Sequence, residues 1–310
     1  MKIFTFLVLF VSLFIILVGG YTLFRKNHFV SKEATIQKYK YPNSQFVDWE
    51  GIKVHLTEQG SGNTSVVLIH GLGGAMHEFK PLAERLAKNY HVVSFDLPGF
   101  GLSDAPSHTT DIQAVYRDFM GFILDNYIKD TCYLIGNSMG GMIAWNTALY
   151  KMKKIQKLVL LAPAGYDMVQ IAEKNAEWIN QPIIRFLLAK GAARFIAKSN
   201  VEMCFYNDEH IDPELFDRKY GMMNKVGNLE YLKQLAGYKK FMDTSTIKQI
   251  ETPTLLIWGT EDEIIPYSHA ERFNRDLPNC TFLTYENCGH APMLEELDKC
   301  TDDILNFFDI

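Results

Sequence analysis

The sequence has little cysteine. Its 310 residues include five cysteines, and no Cys-x-x-Cys pair occurs. An odd, sparse set in a chain of this length excludes a disulfide framework. Cys280 and Cys288 flank a strand-like segment, so a single pairing between them is left open, although free thiols fit a reducing compartment better.

The sequence also lacks an excess of positive charge. The 31 Lys and Arg residues stand against 36 Asp and Glu residues, which gives a net charge of -5. Nucleic-acid binding usually leaves a basic footprint, so we expect no nucleic-acid partner. No His-Glu-x-x-His pattern occurs among the nine histidines. We therefore expect no metal site.

One long hydrophobic run is present, at residues 3–24. These 22 residues contain no charged side chain and are long enough to cross a bilayer as a helix. We predict an uncleaved signal anchor that makes the lipid bilayer a partner of the chain. The alternative is a cleavable signal peptide, but no small-x-small cleavage site follows a short apolar stretch.

Basic residues on both sides of this run bear on its orientation. Lys2 precedes it, and a short basic tail is typical of segments whose N-terminus stays inside. More basic residues follow it, and the positive-inside rule then favours a cytoplasmic position for the domain after the run, which is our expectation. The residues after the run are Arg25, Lys26, Lys32, Lys38 and Lys40.

Beyond residue 40, strand-like and helix-like segments alternate. Such alternation predicts βαβ units and an α/β fold with a mostly parallel sheet flanked by helices. Glu50-Gly51 forms a turn between the first two strands. The strand-like segments are residues 45–49, 52–57, 65–70, 91–95, 132–136, 158–161, 252–258 and 281–285, and the helical ones are residues 79–89, 111–128, 139–150 and 293–308.

The alternation is interrupted between the sixth and seventh strands. Residues 166–249 show helical spacing, contain no strand-like run and are rich in Met and aromatic residues. We interpret them as a helical cap inserted into the α/β domain, with most of these side chains forming the core of the insertion. The predicted units are an anchor and linker (1–40), a first core part (41–165), the cap (166–249) and a second core part (250–310).

A Gly-x-Ser-x-Gly motif occupies residues 136–140. It lies between a predicted strand and a predicted helix, where a sharp turn exposes the Ser138 hydroxyl as a nucleophile. The N–H of Met139, at the start of the helix, is the expected donor to an oxyanion. The motif alone occurs by chance, but its position at a strand end makes it specific.

A glycine-rich segment, His70-Gly71-Leu72-Gly73-Gly74, follows an earlier predicted strand. Glycine allows the backbone to approach a reacting carbonyl, and the N–H of Leu72 is the expected second oxyanion donor. The alternative is an ordinary strand-to-helix loop. We interpret His70 as a structural residue that orders this loop.

A serine nucleophile requires a base, and His290 is the best candidate. It lies just after the last predicted strand, at the sheet edge where α/β proteins place ligand chemistry. Asp262, after the preceding strand, is the expected carboxylate partner of His290. Glu261, Glu263 and Asp167 remain alternatives to Asp262.

Together these motifs resemble the α/β-hydrolase superfamily from residue 46 to the C-terminus. Phe95-Asp96-Leu97-Pro98-Gly99 begins a segment similar to its strand-four loop, in which Asp96 is expected to tie the turn together. Gly-Asn-Ser-Met-Gly-Gly and residues 163–165 look most like membrane-anchored monoacylglycerol lipases and related bacterial lipases or esterases. Carbon–carbon bond hydrolases share the first motif, but they tend to carry an aromatic residue soon after the base, where Ala291 stands here.

The resemblance implies acyl transfer without a cofactor. Ser138, Asp262 and His290 would form the triad, and Leu72 and Met139 would hold the oxyanion. We expect a small hydrophobic ester as substrate. A carbon–carbon bond hydrolase or thioesterase is the alternative on the same scaffold, and a non-catalytic ligand sensor is the alternative of another class.

Overall fold

One sheet of eight strands organises the protein. The computed structural model describes residues 31–107, 111–151, 153–166, 194–236 and 243–309. The strand order is β1-β2-β4-β3-β5-β6-β7-β8, with β1–β2 and β2–β4 antiparallel and all other pairs parallel. The strands are β1 (Gln45–Trp49), β2 (Ile52–Gln59), β3 (Ser65–Ile69), β4 (His91–Phe95), β5 (Cys132–Asn137), β6 (Ile155–Leu161), β7 (Thr254–Gly259) and β8 (Cys280–Tyr285). The predicted mostly parallel α/β sheet is confirmed.

Helices connect the strands and cover the sheet. Short 3-10 turns occupy Met76–Phe79, Asp208–His210 and Thr244–Gln249. The α-helices of the described residues are α1 (Lys32–Tyr39), α2 (Lys80–Leu86), α3 (Ile112–Tyr127), α4 (Met139–Tyr150), α5 (Arg194–Glu202), α6 (Pro213–Met223), α7 (Asn228–Ala236), α8 (Ser268–Asp276), α9 (Pro292–Glu295) and α10 (Leu297–Asp309).

The central strands are buried on both faces, which explains their continuous apolar sequences. In β5, Leu134 packs into one core with α3, α4 and α8, whereas its neighbour Ile135 packs into a second core with α2 and α10. This alternation follows from the two-residue period of a strand. The sheet is therefore the middle layer between two helical layers.

Two helices were not predicted. α1 lies in the segment interpreted as a polar linker, and only Thr35 of its residues is buried. α8 buries few apolar side chains, Ala270 and Phe273, between polar ones. α1 has almost no amphipathic pattern, whereas α8 is amphipathic but only nine residues long and mostly polar. The predicted last helix is divided at Glu296, since its non-helical backbone (φ -119°, ψ 47°) separates α9 from α10.

The described part of the predicted cap, residues 194–236 and 243–249, contains helices α5, α6 and α7 and no strand. The predicted anchor, residues 3–24, lies outside the described residues. No helix among the described residues combines the length and the hydropathy needed to cross a bilayer.

A buried carboxylate holds the turn after β4. Asp96 is fully buried, and it accepts hydrogen bonds from Met76 N at 2.8 Å and Leu102 N at 2.7 Å. His55 Nδ1 lies 2.7 Å from its Oδ2. Burial acts to raise the pKa of Asp96, but the contact with His55 outweighs it and holds the pKa below its ordinary value. The expected structural role of Asp96 agrees with these contacts.

Replacing Asp96 should therefore destabilise the fold. We expect Asp96→Asn to lower the free energy of unfolding by about 3 kcal/mol in urea denaturation at pH 7, because it removes one partner of a buried pair. Since the folded-state pKa is depressed, the carboxylate's contribution is complete above the ordinary Asp pKa of about 3.9 and declines as the pH falls below it. The difference in the free energy of unfolding between Asp96→Asn and wild type should therefore become smaller as the pH falls below that value.

The control is Asp118→Asn, because Asp118 is a surface residue that pairs with Arg117 and is more than half exposed. It should change the stability by less than about 0.5 kcal/mol. Equal stabilities of the Asp96 and Asp118 variants would contradict the structural role of Asp96.

Candidate active site

The five predicted site residues lie on loops at one edge of the sheet. Leu72 follows β3, Ser138 and Met139 follow β5, Asp262 follows β7, and His290 follows β8. These four strands run parallel, so their carboxyl ends meet at the same edge. This is where open α/β sheets bind their ligands.

Ser138 occupies a strained turn between β5 and α4. Its φ of 57° and ψ of -121° are unusual for a residue with a side chain. Ser138 N donates to Leu161 O at 3.0 Å, and Ser138 O accepts from Ala164 N at 2.9 Å. A Cβ at Gly140 would lie 2.1 Å from Ile69 O, so only glycine allows the turn to pack on β3. The turn leaves the Ser138 side chain half-buried at the sheet edge.

The oxyanion loop, residues 70–74, lies against this turn. A Cβ on Gly71 would stand 3.2 Å from the Ser138 Cβ, so the backbone just before Leu72 touches the nucleophile. Met139 begins α4, where a helix leaves its N–H groups without partners inside the helix. The two predicted donors, the N–H groups of Leu72 and Met139, therefore belong to segments that meet at Ser138.

His290 and Asp262 are in direct contact. His290 Nδ1 lies 2.7 Å from Asp262 Oδ2, and both residues are buried. Asp262 Oδ1 accepts hydrogen bonds from Ile264 N and Ile265 N, each at 2.8 Å. With Nδ1 donating to the carboxylate, Nε2 is the ring nitrogen left to accept a proton. The contact is of the kind that orients a base.

The alternative carboxylates differ in position. Glu261 and Glu263, the neighbours of Asp262, are exposed. Asp167 lies outside the described residues. Of the carboxylates after β7, the structure thus brings only Asp262 to His290 among the residues that it describes.

Sequence reasoning missed Asn137, which joins the nucleophile turn to the base. Its buried Nδ2 donates to His290 O and to Leu161 O, both at 3.0 Å. The Ser138 hydroxyl itself makes no hydrogen bond to His290 in the described part of the chain. In unliganded sites such contacts are often long and tighten with substrate. The one feature of the sequence that could have identified Asn137 is its position directly before Ser138.

His70 has the structural role that we expected. Leu97 N donates to its Nε2 at 2.9 Å, so the proton is on Nδ1, which lies 2.8 Å from Gly71 O. Burial lowers the pKa of His70 and keeps the ring neutral. Both ring nitrogens are therefore used to hold the oxyanion loop against the strand-four loop.

Two cysteines lie close to His290. Cys204 O accepts from His290 N at 2.9 Å, and Cys288 is two residues away along the chain. Burial raises the pKa of both thiols, so neither is activated as a thiolate nucleophile. All five cysteines are free thiols, so the open pairing of Cys280 with Cys288 does not occur.

An apolar crevice separates the oxyanion loop from cap helices α6 and α7. One polar side chain, Asn228, also lies there, and its Nδ2 donates to Gly101 O and Met222 O at 3.0 Å. The crevice is lined by Gly73, Phe100, Gly101, Met222, Met223, Asn228 and Leu232. None of the proposed triad residues lines this crevice.

Comparison with known proteins supports the fold. A 2-hydroxy-6-oxononadienedioate/2-hydroxy-6-oxononatrienedioate hydrolase of Paraburkholderia phymatum is 27% identical over 268 residues, which cover 83% of this chain and 91% of that protein. The solved meta-cleavage product hydrolase CumD of Pseudomonas fluorescens superposes with a TM-score of 0.72 at 23% identity, over 84% of this chain and 95% of the other.

A solved esterase from Exiguobacterium antarcticum superposes with a TM-score of 0.69 at 21% identity, over 86% of this chain and 98% of the other. The family model for the alpha/beta hydrolase fold matches residues 64–297, which include all five predicted site residues. The chain is therefore a hydrolase that belongs to the alpha/beta hydrolase fold family.

Proposed function

We propose that this hydrolase uses Ser138, His290 and Asp262 as a catalytic triad that cleaves a bond next to a carbonyl carbon. The observation that carries the proposal is the 2.7 Å contact between His290 and Asp262, made at the same sheet edge as the strained turn of Ser138. A base held in one tautomer beside an exposed hydroxyl is the arrangement that activates serine.

The proposed reaction has two stages. Ser138 Oγ attacks the carbonyl carbon while its proton passes to His290 Nε2, and the N–H groups of Leu72 and Met139 hold the oxyanion. The bond to the leaving group then breaks, and the leaving group takes the proton from His290. Water, deprotonated by the same nitrogen, next attacks the acyl-enzyme and frees Ser138.

For the bond that is cleaved, the relatives favour the carbon–carbon alternative over the ester that the sequence led us to expect. The compound named for the Paraburkholderia relative is a 6-oxo acid without an ester. Cleavage of the carbon–carbon bond beside the 6-oxo group requires that the dienol first become a 2-oxo-3-enoic acid, with the 2-hydroxyl proton moved to C5. The electron pair of the broken bond then passes from C5 into the conjugated 2-oxo group, and the proton from His290 completes the dienoic product. Such a 6-oxo dienoic acid is our first candidate substrate.

An ester of a hydrophobic acyl group is the second candidate, and the charges near the crevice favour it. The dienoic acids carry carboxylates, which need a cation when they are buried. Lys219 and Lys225, the largely buried lysines of the described cap, are already paired with Glu78 and Asp104. A neutral ester would need no such cation.

The proposed triad predicts the effect of Asp262→Asn. We expect it to slow covalent labelling by a fluorophosphonate probe by about 10⁴-fold, because an amide leaves His290 in the wrong tautomer. Glu261→Gln and Glu263→Gln are matched controls on the same loop and should label like wild type. A Glu261 or Glu263 variant that loses labelling while the Asp262 variant keeps it would reassign the acid.

A substrate panel tests the nucleophile and the bond. The purified enzyme is given p-nitrophenyl butyrate and a 2-hydroxy-6-oxo dienoic acid, and we expect the higher kcat/KM on the dienoic acid. Ser138→Ala should lose at least about 10³-fold on either compound. Ser199→Ala, which changes an exposed serine of α5, is the control.

A higher kcat/KM on p-nitrophenyl butyrate than on the dienoic acid would make an ester the preferred candidate substrate. Full activity of the Ser138 variant on both compounds would refute the proposed mechanism.

We also propose that residues 3–24 anchor the enzyme to a bilayer, with the catalytic domain on the cytoplasmic face. The length and hydropathy of this run support the anchor. α1 begins shortly after it, and Lys32 Nζ lies 2.7 Å from Asp104, so the linker to the domain would be short.

Full-length protein should therefore sediment with membranes and resist alkaline extraction, whereas a chain without residues 1–24 should be soluble. In sealed inverted vesicles, the domain should be open to added protease. Release of the full-length protein by alkali would contradict the anchor, and protection from the protease would contradict the orientation.

A further inference from the structure

A buried carboxylate lies behind the proposed base. Glu295 is the last residue of α9, five positions after His290, and its side chain is fully buried. It accepts a hydrogen bond from Gly289 N at 2.7 Å through Oε2. Glu295 therefore holds the residue that directly precedes His290.

The same carboxylate also holds the cap. Oε1 accepts from Tyr206 N at 2.9 Å and from Asn207 N at 2.8 Å, and these residues follow α5. Oε2 shares the Tyr206 N–H at 3.2 Å. Three N–H groups from two distant segments of the chain thus converge on one carboxylate.

Direct contacts join the same two segments. Cys204 O accepts from His290 N at 2.9 Å. A Cβ on Gly289 would lie 2.8 Å from Cys204 O and 2.9 Å from Tyr206 N, so only glycine allows this approach. The backbone of the base loop, residues 286–291, and the cap backbone at residues 204–207 are in van der Waals contact.

Apart from these N–H groups, one basic side chain of the described residues lies near the Glu295 carboxylate. His210 Nδ1 lies 4.0 Å from Oε1 on a side chain that is 42% exposed, beyond hydrogen-bond distance. A buried carboxylate is costly unless it is well hydrogen-bonded, and here the backbone N–H groups provide those bonds. Any separation of the cap from the base loop would remove two of the three N–H donors, Tyr206 N and Asn207 N, from this carboxylate.

We propose that Glu295 is a positioning residue that fixes His290 by binding the cap and the base loop as one unit. It acts through Gly289 N and through the cap carbonyl of Cys204, and it does not touch the reacting atoms. The His290 backbone is then held on one side by the cap and on the other by Asn137. Assembly of the base thus requires residues 204–207 of the cap to be docked.

The inference rests on the proposed triad, and Glu295→Gln tests it. The amide matches the carboxylate in size but directs an NH₂ group at N–H donors, so the base loop and the cap lose a shared acceptor. We expect fluorophosphonate labelling of Ser138 to slow by about 10- to 100-fold, since a misplacement of about 1 Å has effects of this size.

A spectroscopic readout separates positioning from general destabilisation. The Nδ1 proton between His290 and Asp262 should give a low-field ¹H resonance in the folded wild-type protein, and it should shift or broaden in the Glu295→Gln variant. Hydrogen exchange at Gly289 and Tyr206 should accelerate together. Asp298→Asn, which changes a surface carboxylate of α10, is the control and should leave all three readouts unchanged.

Gly289→Ala is a second variant that separates the cap from the base loop without changing charge, and it should slow labelling in the same way. Wild-type labelling rates and an unchanged low-field resonance in folded Glu295→Gln protein would overturn the inference while leaving the triad intact. Absence of Ser138 labelling in the wild type would overturn the proposed function together with the inference.

Discussion

The hydrogen bond between His290 Nδ1 and Asp262 Oδ2 is the contact on which the proposed chemistry depends. A base must stand in one tautomer and one orientation, and here two loops that follow different strands provide these conditions. The parallel sheet makes this possible, because it brings the carboxyl ends of β5, β7 and β8 to one edge. The strained turn at Ser138 is held by the same framework.

The backbone of His290 is held from two directions. Asn137 binds its carbonyl from the nucleophile side, and Cys204 binds its N–H from the cap side. The cap therefore contacts the loop that carries the proposed base. Glu295 adds to these contacts by accepting hydrogen bonds from both segments at once.

Much of this arrangement could be predicted from the sequence. Continuous apolar strands, the Gly-x-Ser-x-Gly motif and the order of Ser138, Asp262 and His290 are local signals, and they led to the sheet and to the pairing of His290 with Asp262. The contacts of Asn137 and Glu295 were missed because most of their partners are backbone groups far away in the chain. α1 was missed because it has almost no amphipathic pattern, and α8 because it is short and mostly polar. The type of bond that is cleaved could not be predicted from the motifs, since ester and carbon–carbon hydrolases share the same nucleophile turn.

The most direct test of the central claim is a crystal structure of the enzyme after reaction with an alkyl fluorophosphonate. The account predicts a covalent bond from phosphorus to Ser138 Oγ, a phosphoryl oxygen within hydrogen-bond distance of Leu72 N and Met139 N, and His290 Nε2 turned toward Oγ. An adduct on another residue, or a phosphoryl oxygen that faces away from both N–H groups, would contradict it.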